Sequence, residues 1–176
     1  MVREWLKESR MIAEDDARHA GLTGAAFDSY VAEHRFDLAT ALAWAEVRNG
    51  QESGDMTDTL AALLGEVLPY HKQVADRHGL DLVMYEGGTH AVGIGPMADD
   101  EELTEFLIHF NYSEEMGALY SELIAGWYAL GGTLFNAYAD VYAPSKWGSW
   151  GALRHLTDHN PRWDALRGVS GPEQPE

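Results

Sequence analysis

Cysteine is absent from the 176 residues, which excludes disulfides, thiolate metal sites and cysteine nucleophiles. Basic residues are scarce: 12 Lys and Arg stand against 29 Asp and Glu, a formal charge of -17. A field of that sign repels phosphate-rich polymers at long range, so nucleic acid is not expected as a partner. No apolar run reaches the roughly 18 residues a membrane span needs. The segment Met1-Val2-Arg3-Glu4-Trp5-Leu6-Lys7-Glu8 is charged along its length and is not expected to act as a signal peptide. A soluble, cytoplasmic protein without membrane contact is the expectation. The acidity by itself describes a solvated surface and names no ligand.

What is present is enough apolar material, 45% of residues, for one domain with a sizeable core. From about Trp5 to Val47 apolar residues recur at three- and four-residue steps, predicting two or three amphipathic helices. The run Asn49 to Asp55 is polar and glycine-containing, hence a loop, and Thr57 or Asp58 can cap the next helix. Leu60, Leu63, Leu64, Val67, Leu68, His71 and Val74 form that helix's stripe, with a kink expected at Pro69 and a stop at Gly79. A strand is predicted over Asp81 to Tyr85 and a second over Thr133 to Ala139. Between them come a short helix opened by Asp99 to Glu102 and a longer one capped by Ser113, with Trp127 on its buried face. Asn160-Pro161 opens a last helix through Leu166, and the tail from Ser170 to Glu176 is expected to be disordered.

Strands separated by helices imply a βαβ crossover in a parallel sheet, which is normally covered on both faces and built from several strands. Residues 1–169 are therefore expected to form a single α/β domain, mainly helical over 1–57 and built of βα units over 58–169. A full barrel of eight βα units takes about 250 residues, so only part of one would fit. Open sheet edges could then be covered by a homo-oligomer.

The chemistry-bearing stretch is Leu82 to His90, where an apolar strand ends in a carboxylate, two glycines and a histidine. Gly87 and Gly88 allow a sharp turn and leave space beside Glu86, which is expected to face a cleft. The alternative role for Glu86 is structural, accepting backbone hydrogen bonds within the turn. Trp147 and Trp150 lie in a glycine-containing loop where bulky aromatics need a cover. Trp150 is expected to plug the core and Trp147 to offer a binding platform. Lys146 could pair with Asp140 or Glu86. His155 and His159 do not form a zinc pattern, since no Glu follows the first His and Pro161 ends any helix there. No metal or other cofactor is predicted. Gly93-Ile94-Gly95-Pro96 lacks the lysine and the immediate helix of a phosphate loop.

Three stretches, Tyr85-Glu86-Gly87-Gly88-Thr89-His90, Gly131-Gly132-Thr133-Leu134-Phe135-Asn136 and Ser145-Lys146-Trp147-Gly148-Ser149-Trp150-Gly151, together resemble the C-terminal end of retaining-clan barrel glycoside hydrolases. The resemblance spans roughly Leu63 to Gly168. It implies an α/β fold that is a partial (β/α)8 (TIM-type) barrel, its last two βα units preceded by helices, acting on or binding carbohydrate. It makes Glu86 the catalytic nucleophile, Trp147 or Trp150 the sugar platform, and His90, Asn136 and Tyr142 further sugar contacts. A retaining mechanism needs a second carboxyl group about 5–5.5 Å from the first. In that clan the acid/base Glu follows an Asn at an earlier strand end, and this sequence has no such Asn-Glu pair. A non-catalytic carbohydrate-binding or structural α/β domain is the alternative. The catalytic version requires Glu86 and Trp147 to share one pocket.

Overall fold

A computed structural model describes residues 1–168 of the chain; the tail expected to be disordered lies outside them. The chain opens with three helices, α1 (Val2–His19), α2 (Ala25–His34) and α3 (Asp37–Asn49). On α1, Trp5, Leu6, Ser9, Ala13 and Ala17 fall on one stripe and are buried, against α2 and α3. The first turn of α3 has no cap of its own. Ser9 supplies one from α1, its hydroxyl accepting from the amides of Leu38 at 3.1 Å and Ala39 at 3.3 Å.

Next come the short α4 (Leu60–Ala62), a π-helical turn (Leu63–Val67) and α5 (Leu68–Arg77). Thr59, not Thr57 or Asp58, caps α4 by accepting from the Ala62 amide. Pro69 produces a widening where a kink was anticipated. It has no amide to donate, its ring crowds the carbonyl one turn back, and the Leu68 amide instead reaches five residues back to Leu63.

Strand β1 (Val83–Gly87) is followed by a single 3-10 turn over Gly95–Asp99, then α6 (Glu101–Asn111) and α7 (Glu114–Ala129). Asp100 caps α6 and Ser113 caps α7. Strand β2 (Leu134–Ala137) returns parallel to β1, pairing Val83 with Leu134 and Met84 with Phe135 before a bulge brings Gly87 opposite Ala137. A long irregular segment then leads to α8 (Pro161–Arg167), capped by Asn160 and packed on α7. The core lies between α1, α3, α4, α6 and α7, around Phe36, Phe106, Phe110, Leu119 and Ile124.

The expectation of a partial (β/α)8 barrel is overturned. Among the described residues β1 and β2 form a two-stranded sheet, and most of the chain is helix. The amphipathic stripes bury helix against helix, so the helices make their own core and do not wrap a cylinder of strands. The inward face of the sheet sets Phe135 against Trp127, with ring centroids 6.3 Å apart. The outward face is uncovered: Val83 is 53% exposed, Leu134 57% and Tyr85 80%. In a barrel, side chains on both faces of a strand would be covered.

Candidate functional site

Glu86, Gly87, Gly88, Thr89, His90, Tyr138 and Trp150 line a cleft of about 480 Å³. Its floor is the turn that ends β1. A side-chain carbon on Gly87 would lie 2.4 Å from the Phe135 ring, and one on Gly88, at φ 146°, would lie 2.9 Å from the Tyr120 hydroxyl. Both positions need glycine, Gly87 for close approach and Gly88 for its backbone conformation as well.

The turn is held by groups other than Glu86. The Thr89 amide donates to the Tyr120 hydroxyl at 2.9 Å, the Ala91 amide to Thr89 Oγ1 at 3.2 Å, and the Tyr138 amide to the Gly87 carbonyl at 3.0 Å. Fully buried Asn111 donates to the Ala91 carbonyl at 3.2 Å. The Glu86 carboxylate is exposed and, among the described residues, has no hydrogen-bond or ion-pair partner. The structural role weighed for it, closing its own turn, therefore falls to Tyr120 and Asn111. A carboxylate left in this state can accept hydrogen bonds from a ligand.

The aromatic wall belongs to Trp150. Its ring centroid is 4.5 Å from that of His90 and 5.9 Å from that of Tyr138, the latter edge to face. Its backbone is clamped to the segment after β2, the Ala139 amide donating to the Trp150 carbonyl and the Ala152 amide to the Ala139 carbonyl, each at 2.8 Å. Behind the indole lies Gly148, where a side chain would come within 2.5 Å of the ring.

The loop carrying Trp150 is pinned from within by Arg162, which is 1% exposed. Its guanidinium donates to the carbonyls of Ser149, at 2.9 Å, and Gly151, and stacks 4.5 Å above the Tyr112 ring. Burial pushes the Tyr112 phenol above its ordinary range, and its hydroxyl donates to the Gly151 carbonyl at 3.1 Å. Nearby, the buried Asp158 takes a forked contact from Arg154 at 2.9 and 2.6 Å and a bond from Asn160 at 3.1 Å. The Arg154 guanidinium holds the Asp158 carboxyl far below the usual carboxylate range.

The predicted site residues divide. Glu86, His90 and Trp150 meet in one cleft. Trp147, 64% exposed, lines a neighbouring hollow with His90 and Lys146; of the two candidate tryptophans it is Trp150, half-buried, that faces the Glu86 cleft. Lys146 pairs with Asp99 at 2.5 Å and lies 4.8 Å over the Trp147 ring, away from Glu86 and Asp140. Asn136 is occupied across the strands, donating to the Tyr85 carbonyl at 2.7 Å. Tyr142 is 56% exposed and does not line the cleft.

Sequence reasoning did not single out Tyr138 as a wall residue, or Tyr120, Asn111 and Arg162 as the groups that position the site. The available signal for Arg162 was a lone cation directly after the Asn160-Pro161 cap. Among the described residues, no group of three or more His, Asp or Glu is arranged to hold a metal ion, and no helix is long and apolar enough to cross a membrane. Comparison with protein-family models, with curated proteins and with solved structures finds no match.

Proposed function

We propose that the protein binds carbohydrate in the Glu86 cleft and does not cleave it unaided. The observation that carries this reading is a single uncommitted carboxylate beside the Trp150, Tyr138 and His90 rings. Sugar rings present apolar C–H faces suited to an aromatic wall and hydroxyl donors suited to a carboxylate acceptor. A cleft of about 480 Å³ has room for a small saccharide. The strongly acidic chain favours neutral over anionic sugars. Among the described residues Glu86 is the one carboxylate lining the cleft. A retaining hydrolysis would require a second about 5–5.5 Å away, so binding accounts for the geometry better than turnover.

Calorimetric titration with a panel of neutral oligosaccharides, alongside a reducing-end assay, tests this. Trp150→Ala is expected to weaken binding about 30-fold, the scale of a buried aromatic anchor. Glu86→Gln, which keeps an acceptor but loses the charge, is expected to weaken it about five-fold. Trp147→Ala should leave affinity within about two-fold. Glu86-dependent release of reducing ends would make the protein an enzyme instead, and affinity indifferent to Trp150 would end the proposal.

A further inference from the structure

A second cavity, of about 580 Å³, shares Gly88, Thr89 and His90 with the Glu86 cleft. One wall is the α7 face formed by Met116, Leu119 and Leu123, at helical spacing; the opposite wall is Leu60, Leu63 and Val67 from α4 and the π-helical turn. Widened helical turns of this kind recur at functional sites. Here the turn leaves Val67 46% exposed at the cavity while Leu60 and Leu68, at either side, are buried. Leu64 is directed elsewhere, onto Gly126 of α7. The titratable side chains in the lining are Asp58, His90 and Tyr120, with no Lys or Arg among them, so no permanently charged cation is present to receive an anionic head group.

The size lies within the roughly 300–1,000 Å³ of small-molecule sites, which are typically apolar with few polar groups. We propose that this cavity takes the alkyl chain of a neutral amphiphile, an alkyl glycoside whose sugar occupies the adjoining Glu86 cleft. The sugar half rests on the function proposed above. The chain half rests on the cavity alone. Because Gly88, Thr89 and His90 line both cavities, the two lie side by side at one turn, close enough for a single ligand to be tested across them, and the acidic chain with Asp58 at the site disfavours fatty acids and anionic lipids.

The test is calorimetric titration with methyl, hexyl and octyl β-glucosides below their micelle concentrations, and separately with 1-hexanol and 1-octanol. Affinity is expected to rise roughly three- to four-fold per added methylene in both series. Val67→Phe, at a half-exposed position, should reduce octyl glucoside and octanol affinity at least about ten-fold and leave methyl glucoside within about two-fold. Ala62→Leu serves as a second cavity-filling variant should the first fail to fold. A series that does not depend on chain length, or one that rises equally in folded cavity-filled variants, overturns the proposal. Should methyl glucoside not bind while the alcohols rise and respond to Val67→Phe, the sugar reading falls and the assignment of the cavity to an alkyl chain stands.

Discussion

The two halves of the candidate site are held by opposite means. Glu86 stands at the end of a regular strand, yet the sheet behind it has two strands, one face against Trp127 and the other face in solvent at Val83, Tyr85 and Leu134. Trp150 stands in a segment with almost no regular structure, yet buried Arg162, Tyr112 and Asn160 donate to the carbonyls of Ser149, Gly151 and Ala152 on either side of it, and buried Asp158 accepts from Asn160. Regularity of backbone and rigidity of position are thus separate properties. An irregular chain can be immobilised when buried donors satisfy its carbonyls, because leaving any of those carbonyls unpaired in the interior is costly. A strand pair with one wet face has fewer contacts to lose.

That contrast can be broken at its strongest point. Arg162→Met should cost about 3 kcal/mol in urea denaturation, because it leaves the Ser149 carbonyl without its buried donor and the Gly151 carbonyl with the Tyr112 hydroxyl alone. It should also speed amide exchange at Ala139, Ala152 and Leu153, whose bonds hold the Trp150 segment. A loss below about 0.5 kcal/mol would mean that the loop is held by other contacts.

A smaller effect, about 2 kcal/mol at neutral pH, is expected for Asp158→Asn, which removes the charge gripped by Arg154. The folded-state carboxyl is depressed below its ordinary value. Its contribution is therefore complete above the unfolded value of about 3.9 and is lost as pH falls below that toward the folded value. The stability gap between wild type and Asp158→Asn should stay constant from about pH 7 to about pH 5 and narrow below about pH 4. A gap that widens on acidification would reverse the assignment.

The smallest effect belongs to the sheet. Tyr85→Ser, at a side chain 80% exposed, should change stability by less than about 0.5 kcal/mol and leave sugar affinity unaltered. A large loss on thermal melting would show that this face is covered in solution.

Much of the local architecture was readable from residues. Ser113 and Asn160 are helix caps because their side chains reach the amides three residues on, a relation written in adjacent positions. The two strands were placed to within two residues, because apolar, β-favouring runs between glycines are local signals. The Gly87-Gly88 turn and the freedom of Glu86 follow in the same way. The barrel did not follow, since the number of strands in a sheet depends on segments far apart in the chain, and a short motif can sit at the end of two strands as well as eight. Which of the two tryptophans faces the Glu86 cleft was not legible for a related reason: the direction of an aromatic in a loop is decided by what lies beneath it, here Gly148 and the Arg162 network.

The sequence alone determined that this protein is acidic, free of cysteine, rich in amphipathic helices and furnished with a strand that stops at Glu86, because charge, composition and short-range periodicity are additive along a chain. Only the tertiary structure decided that Tyr120 and Asn111 hold the turn in place of Glu86, that Trp150 and not Trp147 faces it, and that an apolar cavity adjoins it. Those outcomes depend on side chains tens of residues apart competing for the same few ångströms of space and the same hydrogen bonds, and that competition is resolved only when the chain is packed.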